Sequence, residues 1–176
     1  NERQAVATSA AAALGRKTDE IIYTAMDSGA NSTQIHDTSS ALERADVLSL
    51  FETMGAADVP EDGQRFVAMN PKGFADLFTI TEFSSADYVG EAQLPYAGGM
   101  TAKNWLSFMW FSTSAVTAGK NIAYHSSAVG LGIGADVTTE INYVPENVSH
   151  LTTSMMSMGA AVIDDNGVYE VLDNNS

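Results

Sequence analysis

YHSSAVGLGIGADVTTEINY, residues Tyr124 to Tyr143, places Gly130, Gly132 and Gly134 at every second position and follows them with Ala135. This satisfies the loose dinucleotide pattern of glycine, any residue, glycine, two residues, then glycine or alanine. A dinucleotide site needs a strand before the glycines and a helix after them, with its N-terminus facing the pyrophosphate. Here Val137, Thr139, Ile141 and Tyr143 alternate with other residues after the glycines, which is the period of a half-buried strand. No Lys-Ser/Thr pair of a phosphate loop stands nearby. The glycines therefore serve backbone geometry, and the expectation is a tight turn between Val129 and Asp136.

Outward from this stretch, Asn121–His125 reads as a strand and Ser126–Gly132 as a short helical turn. WLSFMWFS (105–112) reads as one strand dense in aromatics, and SMMSMGAAVI (154–163) as a late strand. In that late strand Met156, Met158, Ala160 and Val162 share one wholly apolar face, and Met155, Ser157, Gly159, Ala161 and Ile163 share the other. The apolar face is predicted to lie on Leu14, Ile21 and the neighbouring alanines of an N-terminal helix. Asp165-Asn166-Gly167 predicts a tight hairpin turn into VYEVL, because Asn-Gly suits positive φ.

The front of the chain is helical. Residues 2–27 carry Val6, Ala10, Leu14, Ile21 and Ala25 at spacings of three, four or seven, a single apolar stripe narrowed by Ala10–Ala13. GANSTQIHDTS (29–39) is a polar connection. Ser40 and Glu43 form a capping-box pattern ahead of a helix bearing Leu42, Leu50, Phe51 and Met54, with Gly55 as its stop. AADVPEDGQ is a loop, RFVAM (65–69) a short apolar strand, and Asn70-Pro71 starts a third helix to about Phe78. Residues 80–103, with Pro95 and Gly98-Gly99, read as an extended surface loop. The pattern is α+β in one domain, without internal repeats.

The composition excludes several function classes. Of 176 residues, 45% are hydrophobic and 17% charged, enough apolar matter for a folded core. Eight Lys+Arg against 22 Asp+Glu give a net charge of −14, which disfavours nucleic-acid binding by phosphate neutralisation. There is no cysteine, hence neither disulfide nor thiolate chemistry. No apolar run approaches the roughly 18 to 20 residues of a membrane span. Asn1 is not a natural start, so a longer parent chain is expected.

No catalytic constellation emerges. His36, His125 and His150 lack the i, i+3 or i, i+4 spacing of metal pairs. Asp164 and Asp165 abut the Asn-Gly turn and are read as turn formers, not as catalytic or calcium carboxylates. No serine lies in a Gly-x-Ser-x-Gly elbow. Trp105, Phe108, Trp110 and Phe111 read as core, since Lys103 alone interleaves them with charge. No catalytic, cofactor or metal residue is assigned.

Several stretches together resemble the major capsid proteins of tailed phages. LGRKTDEIIYTAM resembles their spine helix. RFVAMNPKGFADLF is similar to their strand, proline and helix. NWLSFMWFSTSAV is similar to the aromatic strand of one branch of the family. YHSSAVGLGIGADVTTEINY, followed by SMMSMGAAVIDDNGVYEV, carries the strongest resemblance. It covers essentially the whole chain, in the family's order.

The resemblance implies the capsid fold shared by tailed phages, herpesviruses and encapsulins: a long spine helix packed on a peripheral (P) domain sheet, plus a mixed α/β axial (A) domain. On that map residues 1–37 are the spine helix and its exit, 38–145 the A-domain, and 146–176 returning P-domain strands. The N-terminal arm and extended hairpin (E-loop) that precede the spine helix in the family have no counterpart in this sequence. The implied function is a coat protein that assembles without catalysis into an icosahedral head around double-stranded DNA. An encapsulin-like compartment shell is the alternative. The implied partners are other copies in hexamers and pentamers, with scaffold, portal or cement proteins, and DNA touched weakly and non-specifically. The implied location is the virion, after synthesis in the bacterial host cytoplasm.

Overall fold

The structure is a computed structural model and describes residues 2–36, 40–85 and 102–174, with the side chains of residues 2 and 3 excepted. It is α+β, as the sequence predicts. Helix α1 (Glu2–Gly29) is followed by strand β1 (Asn31–Ile35), helix α2 (Arg44–Ala56), strand β2 (Arg65–Met69), and the short helices α3 (Pro71–Leu77) and α4 (Thr81–Ser84). Strands β3 (Ala102–Trp105), β4 (Phe108–Ser112), β5 (Lys120–His125), β6 (Val129–Val144), β7 (Ser149–Val162) and β8 (Val168–Leu172) complete the chain.

Two sheets form. Six strands in the order β1-β8-β5-β2-β4-β3 make a mixed sheet, while β6 and β7 make a separate two-stranded ribbon. β2 lies parallel to β4 and antiparallel to β5. Its place in the middle explains why RFVAM reads as a nearly unbroken apolar run: a central strand is covered on both faces. One face of the sheet packs Val67, Met69, Phe108, Trp110, Ala123, Tyr169 and Val171 against Val47, Leu50 and Met54 of α2, Phe74 and Leu77 of α3, and Phe83 of α4. The opposite face offers Ile122 and Val168 to Met26 at the end of α1, together with Val116 and Ala128. The tryptophans are core, as expected. Trp110 is fully buried and its indole N–H donates to the Trp105 carbonyl at 3.0 Å.

Helix α1 ends against this second core, and an ionic hub fixes its position. The Lys120 ammonium on β5 meets Asp27 Oδ1 of α1 at 2.6 Å and Glu170 Oε1 of β8 at 3.0 Å. Gln34 on β1 donates to the other oxygen of Glu170 at 2.8 Å. The Asp27 and Glu170 contacts hold the Lys120 ammonium above its usual pKa, against the opposing pull of burial. Only the C-terminal part of the predicted apolar stripe is seated. Met26 is buried, Leu14 and Ile21 are half-buried, and Val6 is exposed.

Several local expectations are corrected. The polar connection 29–39 contains β1, which pairs parallel with β8 and has no apolar alternation to announce it. The α2 cap is Glu43, not Ser40: the Glu43 side chain accepts from the backbone of Asp46, and the Asp46 carboxylate accepts the Glu43 N–H at 2.7 Å. Leu42 is then drawn into the core just before the helix, which the later start permits. Gly55 lies inside α2, one residue before its end.

The stretch 105–112 is a hairpin, not one strand. Leu106 and Ser107 take φ of 49° and 65°, and the two-residue turn pairs Trp105 with Phe108. Two adjacent residues at positive φ match the right-handed twist of the flanking strands. Most of the predicted surface loop, 86–101, lies outside the described residues; α4 occupies 81–84 and β3 begins at Ala102.

The glycines of the opening stretch form no turn. Gly130, Gly132 and Gly134 lie within β6. Gly130 and Gly132 stand opposite Ala161 and Gly159 of β7. A Cβ at Gly130 would come within 2.9 Å of Ile163 Cδ1, the far end of an exposed side chain that can swing aside, so neither a turn nor a fixed contact demands glycine there. The Asp165–Gly167 segment is a 3-10 turn, not a hairpin, because β7 pairs with β6 while β8 crosses to β5 and β1. Gly167 is selected by contact: a Cβ there would sit 2.5 Å from Ala128 Cβ.

The two sheets draw on strands from all three expected segments, 1–37, 38–145 and 146–176. Strand β1 from the first segment and β8 from the last both belong to the six-stranded sheet, whereas β6 from the middle segment belongs to the ribbon.

The two faces of β7 differ in the expected sense. Met156, Met158, Ala160 and Val162 are half-buried, while Met155, Ser157, Gly159, Ala161 and Ile163 are exposed. Helix α1 lies on the former face: a Cβ at Gly29 would come within 2.8 Å of Val162 Cβ. Met158→Asp should therefore cost about 2 kcal/mol or more, and Ser157→Asp about 0.5 kcal/mol or less. Thermal unfolding of the two variants checks this, and a lower Tm for Ser157→Asp would reverse the assignment of faces.

Candidate assembly interface

The sequence yields no catalytic residue, and the structure gathers its unusual chemistry on a surface instead. Among the described residues, the exposed large apolar side chains are Val6 on α1, Leu48 on α2, and nine on or beside the ribbon: Leu131, Ile133, Val137, Ile141, Tyr143, Val148, Leu151, Met155 and Ile163. Their placement follows from register. Leu131 stands opposite Ala160, Ile133 opposite Met158, Ile141 opposite Thr152 and Tyr143 opposite His150. Opposed residues of an antiparallel pair share a face. Leu131, Ile133, Ile141 and Tyr143 of β6 thus lie on the same face as the even-numbered side chains of β7, while Ala135, opposite Ser157, lies on the other.

That outcome depends on two bulges. The register shifts between Ile133 and Ala135 and again between Ala135 and Thr138, adding one residue to β6 each time. A single extra residue sends every later side chain to the opposite face. Two such shifts cancel, so Ile141 and Tyr143 return to the face of Leu131 and Ile133. Helix α1 covers this face over β7. Over β6 it stays open, with Leu131, Ile133, Ile141 and Tyr143 between 43% and 63% exposed. The reverse face carries the small residues Gly130, Gly132, Ser157, Gly159 and Ala161, with the exposed Leu151 and Met155 further along β7.

The polar residues singled out in the sequence have structural partners. His36 Nδ1 lies 3.0 Å from Asp46 Oδ1. His125 is buried, with Nε2 at 3.1 Å from Asp62 Oδ1 and Nδ1 at 2.8 Å from Ser127 Oγ. The Ser127 backbone N–H also points at Nδ1, at 3.2 Å, so this ring caps the 3-10 turn Ser126–Ala128. The His125 hydrogen bond is the main reason that the Asp62 carboxyl is held below its usual range. His150 lies beside the Tyr143 ring, at 5.4 Å between centroids. Asp164 Oδ1 accepts the Asn166 N–H at 3.1 Å, the turn-forming role expected of it.

Three buried polar side chains went unforeseen because nothing local marks them. Arg65 donates to the carbonyls of Val59 and Pro60. Lys103 donates to the Phe83 carbonyl and sits 4.1 Å above the Phe83 ring; burial lowers its pKa. Asp173 accepts from the amides of Asn70 and Asn121, each at 2.8 Å. Among the described residues, no group of three or more His, Asp or Glu converges as a metal site would require. No described helix is long and apolar enough to cross a membrane.

The sequence profile of the phage capsid protein family matches residues 1–174. The chain belongs to that family. Among solved structures, a chain of Mycobacterium phage Che8 superposes on this capsid chain with a TM-score of 0.79 at 22% identity, over 98% of this chain and 63% of that one. The capsid structure of cyanophage P-SCSP1u gives a TM-score of 0.79 at 18% identity, over 100% of this chain and 67% of that one. An encapsulin complex of Synechococcus elongatus PCC 7942 gives 0.64 at 12% identity, over 98% and 65%. These likenesses establish the tailed-phage capsid fold for this chain, which spans about two thirds of the length of the phage chains it matches. No curated protein sequence matches it.

Proposed function

We propose that this capsid chain is a major coat subunit whose copies tile an icosahedral phage head around double-stranded DNA. Membership of the phage capsid family over residues 1–174 carries the reading. The half-covered apolar face of the ribbon supports it, since a contiguous apolar surface of this kind marks a protein interface. On this reading α1 and the ribbon form the peripheral domain, and the six-stranded sheet with α2–α4 forms the axial domain. β1 and β8 then belong with the axial domain.

The subunit works by symmetric association and not by catalysis, in hexamers and pentamers. Scaffold, portal or cement proteins complete the assembly. Contact with packaged DNA is weak and non-specific, in keeping with a net charge of −14. Synthesis takes place in the host cytoplasm and the final location is the virion. An encapsulin-like shell is the second reading, favoured less because the encapsulin likeness is weaker in both TM-score and identity.

Electron microscopy of particles purified from producing cells tests the proposal. Closed shells holding DNA are the expected result. Shells holding cargo protein would favour the compartment reading, and a strictly monomeric protein at high concentration, with scaffold present, would sink both.

A further inference from the structure

His36 follows strand β1 in a strained backbone, and both nitrogens of its ring face acceptors. Its φ of 66° is a left-handed conformation that residues other than glycine adopt at a cost. Nδ1 lies 3.0 Å from Asp46 Oδ1 of α2, and Nε2 lies 3.0 Å from the Ser40 carbonyl oxygen. The other Asp46 oxygen accepts the Glu43 N–H at 2.7 Å, so the carboxylate acts as an acceptor at both of its ends. A neutral imidazole carries one N–H and one lone pair. Either neutral tautomer would turn that lone pair onto an acceptor oxygen. His125 shows the contrary arrangement, with the Ser127 N–H pointing at its Nδ1.

From this we infer that His36 is held as the doubly protonated imidazolium and acts as a proton-dependent clamp between the exit of β1 and the start of α2. Burial alone would favour the neutral ring, since the His36 side chain is 9% exposed. Against it stand an ionic bond to Asp46 and a charge-assisted bond to Ser40, in a site where salt screens little. The other charged groups on the adjoining elements are engaged elsewhere. The Glu43 side chain accepts from the Asp46 backbone, and Arg44 pairs with Glu82 at 2.6 Å. Glu170 of β8, the strand beside β1, binds Lys120 and Gln34. Strand β1 itself has no charged residue, and Asp37, next in the sequence, adds a further negative charge. When pH rises and Nε2 gives up its proton, Nδ1–H keeps its bond to Asp46. Nε2 must then release the Ser40 carbonyl and turn to the Ser40 hydroxyl, at 3.4 Å. Because α2 covers the sheet through Val47, Leu50 and Met54, pH sets how firmly that layer is tied to β1. The clamp lies within one subunit and does not depend on the coat reading.

A group that binds its proton more tightly in the folded chain than in the unfolded one adds stability at low pH, and loses it as pH rises through the folded value. For a proton held about tenfold more tightly than on a free histidine, the wild-type Tm should fall about 3–5 °C more than that of His36→Gln between about pH 6 and about pH 9. NMR titration of the imidazole signals, on the full chain below its assembly threshold, reads the proton directly. The expected result is deprotonation of His36 about one pH unit or more above a free histidine. A midpoint at or below that of a free histidine, or equal slopes of Tm against pH for wild type and His36→Gln, would overturn the inference. If His36→Gln does not fold, the titration of the wild type decides alone.

Discussion

The double variant Ile133→Asp/Ile141→Asp should fold as the wild type does and fail to assemble. Both side chains lie on the open half of the ribbon face, 63% and 59% exposed, and contact no buried core. Surface substitutions of this sort usually change stability by about 0.5 kcal/mol or less. In the assembled shell the same positions would be covered, and each aspartate would lose its water without gaining a cation. Burying one uncompensated charge at an interface costs about 2–5 kcal/mol. At about 1.4 kcal/mol per factor of ten, even one such site per subunit raises the assembly threshold by more than tenfold, and two by more than a hundredfold. The composition offers little rescue: the chain has eight Lys+Arg, and Arg65 and Lys103 are already buried within the subunit. An unchanged Tm together with loss of shells in sedimentation is the expected pair of results. Normal shells from this variant would remove the β6 face from the interface.

Asp173→Ala should be the most damaging of the polar substitutions inside the subunit. Asp173 is 1% exposed and its Oδ2 accepts from both Asn70 Nδ2 and Asn121 Nδ2. The network extends further. Asn121 Oδ1 accepts the Asn70 N–H at 2.9 Å, and Asn70 Oδ1 accepts the Gly73 N–H at 2.7 Å as the cap of α3. Three distant parts of the chain (the start of α3, strand β5 and the end of β8) thus meet at one carboxylate. Alanine would leave two buried amide donors without this acceptor, at about 1–3 kcal/mol each. The sum, about 2–6 kcal/mol, is a large part of the 5–15 kcal/mol typical of a domain. Asp173→Asn keeps an acceptor oxygen and should cost less. Denaturant unfolding checks the order, and a loss of less than about 0.5 kcal/mol for Asp173→Ala would show that the network does not hold these elements together.

The sequence by itself determined the elements whose signal is local. Helix α1 follows from its stripe and its alanines, and α3 from Asn70-Pro71, where the asparagine caps and the proline occupies a position needing no N–H donor. The face of β7 that meets α1 follows from a period of two. The family was legible as well, because several motifs recur together in the same order.

What only the tertiary structure decided rests on partners distant in sequence. Strand β1 exists because β8 lies alongside it, 133 or more residues later in the chain, and its own polar residues give no pattern. The 105–112 hairpin hides in WLSFMWFS because its turn residues, Leu106 and Ser107, are not the glycine, asparagine or aspartate that announces a two-residue turn. Glycines in β6 look like a turn until β7 is placed opposite, and the two bulges that keep Leu131, Ile133, Ile141 and Tyr143 on one face leave no mark in the sequence. The open interface face is of this second kind. Each apolar residue along β6 is visible in the sequence, but α1 covers one strand of the ribbon and leaves the other bare, and packing alone sets which one.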